Sequence, residues 1–254
     1  MKRNRFISGL FAIMLACGAQ AEAESVVSRL LDSYASVQSL SCELRRDTSL
    51  PDGETLRMLS RIYYQQPDKL HVENFSPIKR RILSDGAVFR SYTQGAPKGF
   101  SRPVNELNQE MLINLRMLPG SNANLLEALR DLTEIPLEPT KDFPTRVGYD
   151  NAGRSFTVLS LDAEGRWCRM EVFGSQAMND RSVDAVYSHF QEIKPGVWLA
   201  CRQESKLAIQ GLHRTETVRI DAISAETALP ASLFDSAPFF KGVEFVDSFE
   251  KIAP

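Results

Sequence analysis

Beyond its first 21 residues the chain has no segment approaching the ~20 consecutive apolar residues that a bilayer-spanning helix needs. A helical membrane protein is therefore excluded, and the mature chain is expected to be soluble or lipid-anchored. Charge of one sign is also missing. The formal net charge is −2, which gives no long-range field to steer the chain toward nucleic acid. Cysteine is sparse, with 4 in the whole sequence, and no CxxC or Cys/His spacing suggests a metal. Histidine is scarcer still: His71, His189 and His213 are the 3 present. Each falls in a predicted strand, and none stands in HxH or HExxH spacing. Gly-x-Ser-x-Gly, a phosphate loop and GxGxxG are all absent, so no hydrolase elbow or nucleotide cradle is available. The expectation is a protein that is not an enzyme and holds neither cofactor nor metal.

What is present begins with an export signal. Lys2, Arg3 and Arg5 precede an uncharged, mostly apolar run from Phe6 to Ala16, too short to span a bilayer and followed by small residues. Ala19-Gln20-Ala21 is an A-x-A cleavage site that would release a soluble chain starting at Glu22. Ile13-Met14-Leu15-Ala16-Cys17 resembles a lipobox, whose cysteine would be acylated and kept. Residues 1–21 are read as a signal peptide and 22–254 as one exported domain, released after cleavage or anchored to a membrane through Cys17. Export meets an oxidising environment. Cys42, Cys168 and Cys201 cannot all pair. Cys168 and Cys201 lie in late predicted strands and can form one disulfide; the alternative is three buried, inert thiols.

The chain then alternates between strand and helix signals. Ser25 to Val37 places Val27, Leu30, Leu31 and Tyr34 on one helical face, with Ser25 as N-cap. Strands follow at Leu40–Asp47, Glu54–Gln66, Leu70–Phe75, Arg80–Ser84 and Ala87–Thr93. They are punctuated by Pro51-Asp52-Gly53, Pro67-Asp68 and Asp85-Gly86. Within the second, Leu56, Met58, Ile62 and Tyr64 share one face and Arg57 and Arg61 the other. Gly95–Pro103 reads as loop. Asn105–Leu118 reads as a helix with Leu107, Met111, Leu115 and Leu118 in a stripe, stopped by Pro119-Gly120. Asn122 can cap a second helix carrying Leu125, Leu126, Leu129 and Leu132. Ile135–Pro144 holds three prolines and reads as a connector. Six more strands follow: Arg146–Asp150, Ser155–Leu161, Arg166–Phe173, Ser182–Ile193, Val197–Ile209 and Leu212–Ser224. Short strands joined by turns at this spacing predict a mainly β protein (α+β), with about eleven antiparallel strands closing on themselves.

A curled sheet must fill its concave face with side chains, a helix or a ligand. Bulky aromatics are few here. Two amphipathic helices sit instead between two runs of strands, where they can lie across the barrel mouth. Leu56, Met58, Ile62, Tyr64, Leu70 and Val72 of the sheet would face Leu107, Met111, Leu115, Leu125 and Leu129 of the helices. Such a Leu- and Met-rich surface adapts to irregular shapes, and an acyl chain could replace the helix contacts at roughly 0.8 kcal/mol per buried CH2. Asp85 reads as a turn residue that hydrogen-bonds its own backbone. Asp184, Glu192 and Glu204 read as a solvated face. Arg45-Arg46 and Lys79-Arg80-Arg81 could meet anionic lipid headgroups, but are too few for strong surface binding and read mainly as solvated charge.

The order of these features resembles the LolA/LolB superfamily of periplasmic lipoprotein carriers. The resemblance rests on Tyr34-Ala35-Ser36-Val37-Gln38-Ser39-Leu40 leading into the first strand, on the Gln66-Pro67-Asp68-Lys69-Leu70 turn, and on Arg81-Ile82-Leu83-Ser84-Asp85-Gly86 followed by Val88 to Tyr92. At the C-terminus it rests on Leu233-Phe234-Asp235 with Pro238, and on Gly242-Val243-Glu244-Phe245-Val246-Asp247. Together these span most of the mature chain. The resemblance implies a half-open antiparallel barrel of eleven strands with helices as a lid, and a cavity that takes lipoprotein acyl chains. It also implies a monomeric carrier between an inner-membrane transporter and an outer-membrane receptor. Family carriers place an arginine before the turn proline, where it helps hold the lid closed. Gln66 stands there in this sequence and is the expected lid-control position, with weaker contacts than a guanidinium would make. A sensor or scaffold that uses the same fold to bind an envelope protein is the alternative the sequence allows.

Overall fold

A computed structural model describes residues 24–209, 212–225 and 228–252. The signal peptide, its A-x-A site and Cys17 lie outside the described residues. All eleven expected strands are present. They are β1 (Ser39–Ser49), β2 (Thr55–Gln65), β3 (Lys69–Ser76), β4 (Arg80–Asp85), β5 (Val88–Thr93), β8 (Thr145–Asp150), β9 (Phe156–Leu161), β10 (Trp167–Phe173), β11 (Arg181–Lys194), β12 (Val197–Ile209) and β13 (Leu212–Ser224). Three short ones are added: β6 (Gly99–Pro103), β7 (Glu134–Pro136) and β14 (Phe245–Val246). The loop and connector expected over 95–103 and 135–144 thus each contribute a strand.

The strands form one 14-stranded sheet in the order β14-β6-β5-β4-β3-β2-β1-β13-β12-β11-β10-β9-β8-β7. Two antiparallel meanders are joined where β1 pairs with β13, and among the described residues only the β14–β6 pair is parallel. The two ends of the sheet do not pair with each other, so the barrel is half-open.

Helix α1 (Val26–Ala35) shows how far the sheet curls. Its first amide, on Val26, donates to Glu134 Oε2 of β7 at 2.7 Å, a carboxylate placed where the helix dipole favours negative charge. At the other end Gln66 Nε2, just past β2, donates to Ala35 O at 2.8 Å and Val37 O at 3.1 Å. Strands β7 and β2 stand eight places apart in the sheet order, about 38 Å if flat at ~4.8 Å per strand. A helix of 10 residues reaches only about 15 Å. The sheet must therefore wrap around it. Val26, Val27, Leu30, Leu31 and Tyr34 are buried against that inner face, as the 3.6-residue spacing predicts.

The central helices differ in detail from the sequence reading. A single turn at Val104–Glu106 precedes α2 (Gln109–Arg116), which Asn108 caps by accepting from Met111 N at 2.9 Å. The following α3 (Ala123–Glu127) begins at Asn122, but Asn122 does not cap it. Its backbone is left-handed at φ 53, and its side chain reaches Gln203 on β12 instead. The C-terminal residues cover the opposite face of β3 and β4. Leu233 O lies 2.5 Å from His71 Nδ1, Phe239 O accepts from Arg81, and the Arg81 guanidinium stacks over the Phe239, Phe240 and Tyr92 rings. His71 is thus a buried structural side chain.

Three free thiols are observed rather than a Cys168–Cys201 bridge. β11 lies between their strands, and Cys168 Sγ is turned to Asp162 Oδ2 and Arg166 O, each at 3.3 Å. Burial, with Asp162 adding to it, pushes the Cys168 thiol up to about 12. Burial and then the neighbouring Cys201 do the same to Cys42.

Candidate functional site

The inner face and the central helices enclose a chain of three hollows, each partly open to solvent. The first, about 400 Å³, lies among α1, α2, α3 and the β2–β3 turn, with Leu31, Tyr64, Gln66, Leu112, Ile113, Arg116 and Met117 in its wall. The second, about 240 Å³, is mostly apolar and lies between the sheet and the start of the α2–α3 connection. Leu44, Met58, Ile62, Leu70, Val72, Met117 and Val218 line it. The third, about 460 Å³, is bounded by Leu125, Leu129 and Leu132 on one side and by Met170, Val172, Val183, Ala185 and Tyr187 of the sheet on the other. Met117 belongs to the walls of the first two, and Arg46, Asn122 and Gln203 to those of the last two. The first and third volumes fall in the range of small-molecule sites, and the second lies just below it.

The sequence-predicted lining residues divide into three groups. Met58, Ile62, Leu70 and Val72 gather at the second hollow, Tyr64 and Gln66 at the first, and Leu125 and Leu129 at the third. Leu56 shares the Met58 face but sits near the tip of β2, 47% exposed and away from these walls. Leu107, Met111 and Leu115 pack with Phe89, Phe100 and Val104 in a separate cluster. Their stripe is the core side of α2, and the side turned to the hollow carries Gln109, Leu112, Ile113 and Arg116. An amphipathic stripe identifies the buried face of a helix, and that face need not be the one a ligand meets. Met117 and Arg46 were missed as lining residues. Strict alternation along β1 carried the signal for Arg46, because it shares a face with Leu40, Cys42 and Leu44.

Four polar contacts tie the lid segment to the sheet. Tyr64 Oη donates to Arg116 O at 2.7 Å, and Arg116 Nε to Asp68 Oδ1 at 2.7 Å. Asn122 Nδ2 donates to Gln203 Oε1 and Gln203 Nε2 to Gly120 O, each at 2.8 Å. Burial pushes the Tyr64 hydroxyl up to about 12. Gly120 has φ 81, and a Cβ there would stand 2.3 Å from Ile220 Cδ1, which explains a glycine at the bend of the lid. Gln66, the expected lid-control position, bonds the end of α1. The ion pair between the helical segment and the β2–β3 turn is Arg116–Asp68.

Among the described residues no group of three or more His, Cys, Asp and Glu is placed to hold a metal, and no helix is long and apolar enough to cross a membrane. No protein-family model matches the sequence, and no curated protein matches it. Solved structures share the fold. A LolA superfamily protein from Nitrosomonas europaea is 12% identical with a TM-score of 0.50, covering 84% of this chain and 99% of its own. A DUF1329 family protein from Desulfovibrio piger is 11% identical with a TM-score of 0.53, over 84% and 95% of the two chains. A domain described as an outer membrane lipoprotein-sorting protein, from Vibrio parahaemolyticus, is 11% identical with a TM-score of 0.52, over 83% and 94%. At such identities the likeness establishes the fold: the chain is built as a LolA-type half-open barrel.

Proposed function

We propose that this LolA-type barrel is an exported, periplasmic lipid carrier that holds lipoprotein acyl chains, or another lipid, beneath its helical lid. One observation carries the reading: three hollows that share wall residues lie along the inner face beneath the helices, with Leu, Ile, Val and Met prominent in their linings beside a number of polar groups. Protein interiors normally pack to the density of organic crystals, so a chain of hollows this large along an apolar face is a site for an apolar guest. Each methylene transferred into it is worth roughly 0.8 kcal/mol, and an acyl chain supplies many. Met58, Met117 and Met170 supply a conformable wall. The lid is fastened by a few hydrogen bonds and one half-exposed ion pair, Arg116–Asp68, each worth about 1 kcal/mol net. A ligand of that size can displace them. Within a sorting route the carrier would act as a monomer, taking its load from an inner-membrane transporter and releasing it to an outer-membrane receptor.

The test is organic extraction and mass spectrometry of the protein purified from the periplasm, followed by uptake of a fluorescent palmitoyl probe by the delipidated protein. Co-purified lipid, or saturable uptake that extracted lipid displaces, is expected. A protein that carries no lipid and takes up no probe is not a lipid carrier.

A further inference from the structure

We propose that Arg46 is a head-group station: the hollow takes an amphiphile whose acyl chain ends in an oxyanion, a carboxylate or a phosphate. The inference rests on the carrier reading and narrows its ligand class. Arg46 is the charged side chain common to the walls of the second and third hollows. It lies in a row across the inner face, paired with Met58 on β2 and Val218 on β13, and Val218 pairs in turn with Gln203 on β12. Its neighbour Arg45 points the other way and is satisfied by Asp47 at 2.9 Å. Arg46, its side chain 42% exposed, is only partly satisfied. Its Nε is buried and has no hydrogen-bond partner. Glu216 Oε1 lies 3.5 Å away without the alignment of a hydrogen bond, while the other oxygen of Glu216 accepts from Arg214 at 2.9 Å and Thr48 at 3.3 Å. Arg46, Arg214 and Glu216 are the charged groups in these two walls, two guanidiniums to one carboxylate. The wall of the third hollow therefore carries an excess positive charge.

A guanidinium beside an apolar wall gains most from a planar or tetrahedral oxyanion that two of its N–H groups can grip together. The polar groups beside it do not compete. Asn122 and Gln203 are spent on each other and on Gly120 O. With the oxyanion at Arg46, an acyl chain has apolar wall on either side, past Met58 and Ile62 or past Leu129 and Met170. The ester- and amide-linked chains of a lipoprotein anchor carry no oxyanion and would leave the guanidinium unanswered. The structure thus favours a free fatty acid or an anionic phospholipid over such an anchor.

The test is competitive displacement of the palmitoyl probe from the delipidated protein by palmitate, by palmitoyl lysophosphatidate and by uncharged palmityl alcohol. The wild type should bind one or both anionic ligands about tenfold more tightly than the alcohol, the usual worth of a charge-assisted pair, and the palmitate and lysophosphatidate arms identify which head group fits. Arg46→Gln, with folding checked by circular dichroism, should collapse that ratio toward unity, and added salt should reduce it in the wild type. Equal affinity for charged and uncharged ligands in the wild type overturns the head-group assignment and leaves the acyl reading standing. So does a ratio that survives Arg46→Gln. If none of the three displaces the probe, the carrier reading falls, and this one with it.

Discussion

At the scale of single residues, charge decides which side chains hold the structure and which await a partner. Asp85 is of the first kind. Burial alone would raise its carboxyl, but the N–H groups of Val88 and Ala87, at 2.8 Å each, and the Arg90 guanidinium at 3.0 Å outweigh burial and hold it below the usual carboxylate range. A depressed carboxyl stabilises the fold above its unfolded value of about 3.9 and loses that contribution as the pH falls through the depressed one. Asp85→Asn, neutral throughout, should therefore be less stable than the wild type by about 1 kcal/mol near neutrality. The two should converge in acid, as the pH falls below about 3.9 and through the depressed value. Melting curves at neutral and acid pH check it, and a gap that does not shrink on acidification removes the charge from the account. Asp68 instead has its partner in the helical segment, Arg116 at 2.7 Å. Asp68→Asn leaves Arg116, 54% exposed, free in solvent, so global stability should shift by no more than about 1 kcal/mol. Probe entry and exit should become several-fold faster in stopped-flow measurements. Unaltered exchange rates would show that the ion pair does not gate the lid. The Asp85 turn was legible in the sequence because Asp-Gly has local chemistry. The partner of Arg116 was not, because it comes from 48 residues away.

At the scale of elements the same division separates strands from lid. Eleven strands were legible because each is bounded by turn residues and alternates in polarity. The three that were not are short and rest on tertiary context. β7 contains Pro136 and pairs through three residues, and β14 exists because Phe245 and Val246 are laid beside Gly99 and Phe100. Gly99 permits that approach, since a Cβ would stand 2.6 Å from the Phe245 ring. In the lid, Leu115 and Leu125 looked equivalent in sequence and are not. Leu115 is 1% exposed in the Phe89–Phe100 cluster, whereas Leu125 is 37% exposed at the edge of the third hollow. Leu115→Ala should cost about 2–5 kcal/mol, read as a lowered denaturation midpoint. Leu125→Asp should leave stability within about 1 kcal/mol and weaken probe binding instead. Intact probe affinity in Leu125→Asp would take α3 out of the site.

At the scale of the whole molecule, curvature converts a sheet into a container. A flat sheet of fourteen strands would leave α1 unable to reach from β7 to the β2–β3 turn. Once wrapped, its inner face has more apolar wall than the helices can cover. The remaining vacancy costs packing energy, because its lining lacks contact partners on one side, and an acyl chain bound as proposed would restore them only in the folded state. Binding must then appear as stability. Ligand at a hundredfold excess over its dissociation constant adds about 2.7 kcal/mol, which for a chain of this length raises the melting temperature by about 5–10 °C. Delipidated protein should therefore melt that much lower than protein reloaded with palmitate, and the difference should grow logarithmically with ligand concentration. An unchanged melting temperature across that titration, with the protein folded throughout, would mean that the vacancy is filled by water alone and that the barrel does not carry lipid.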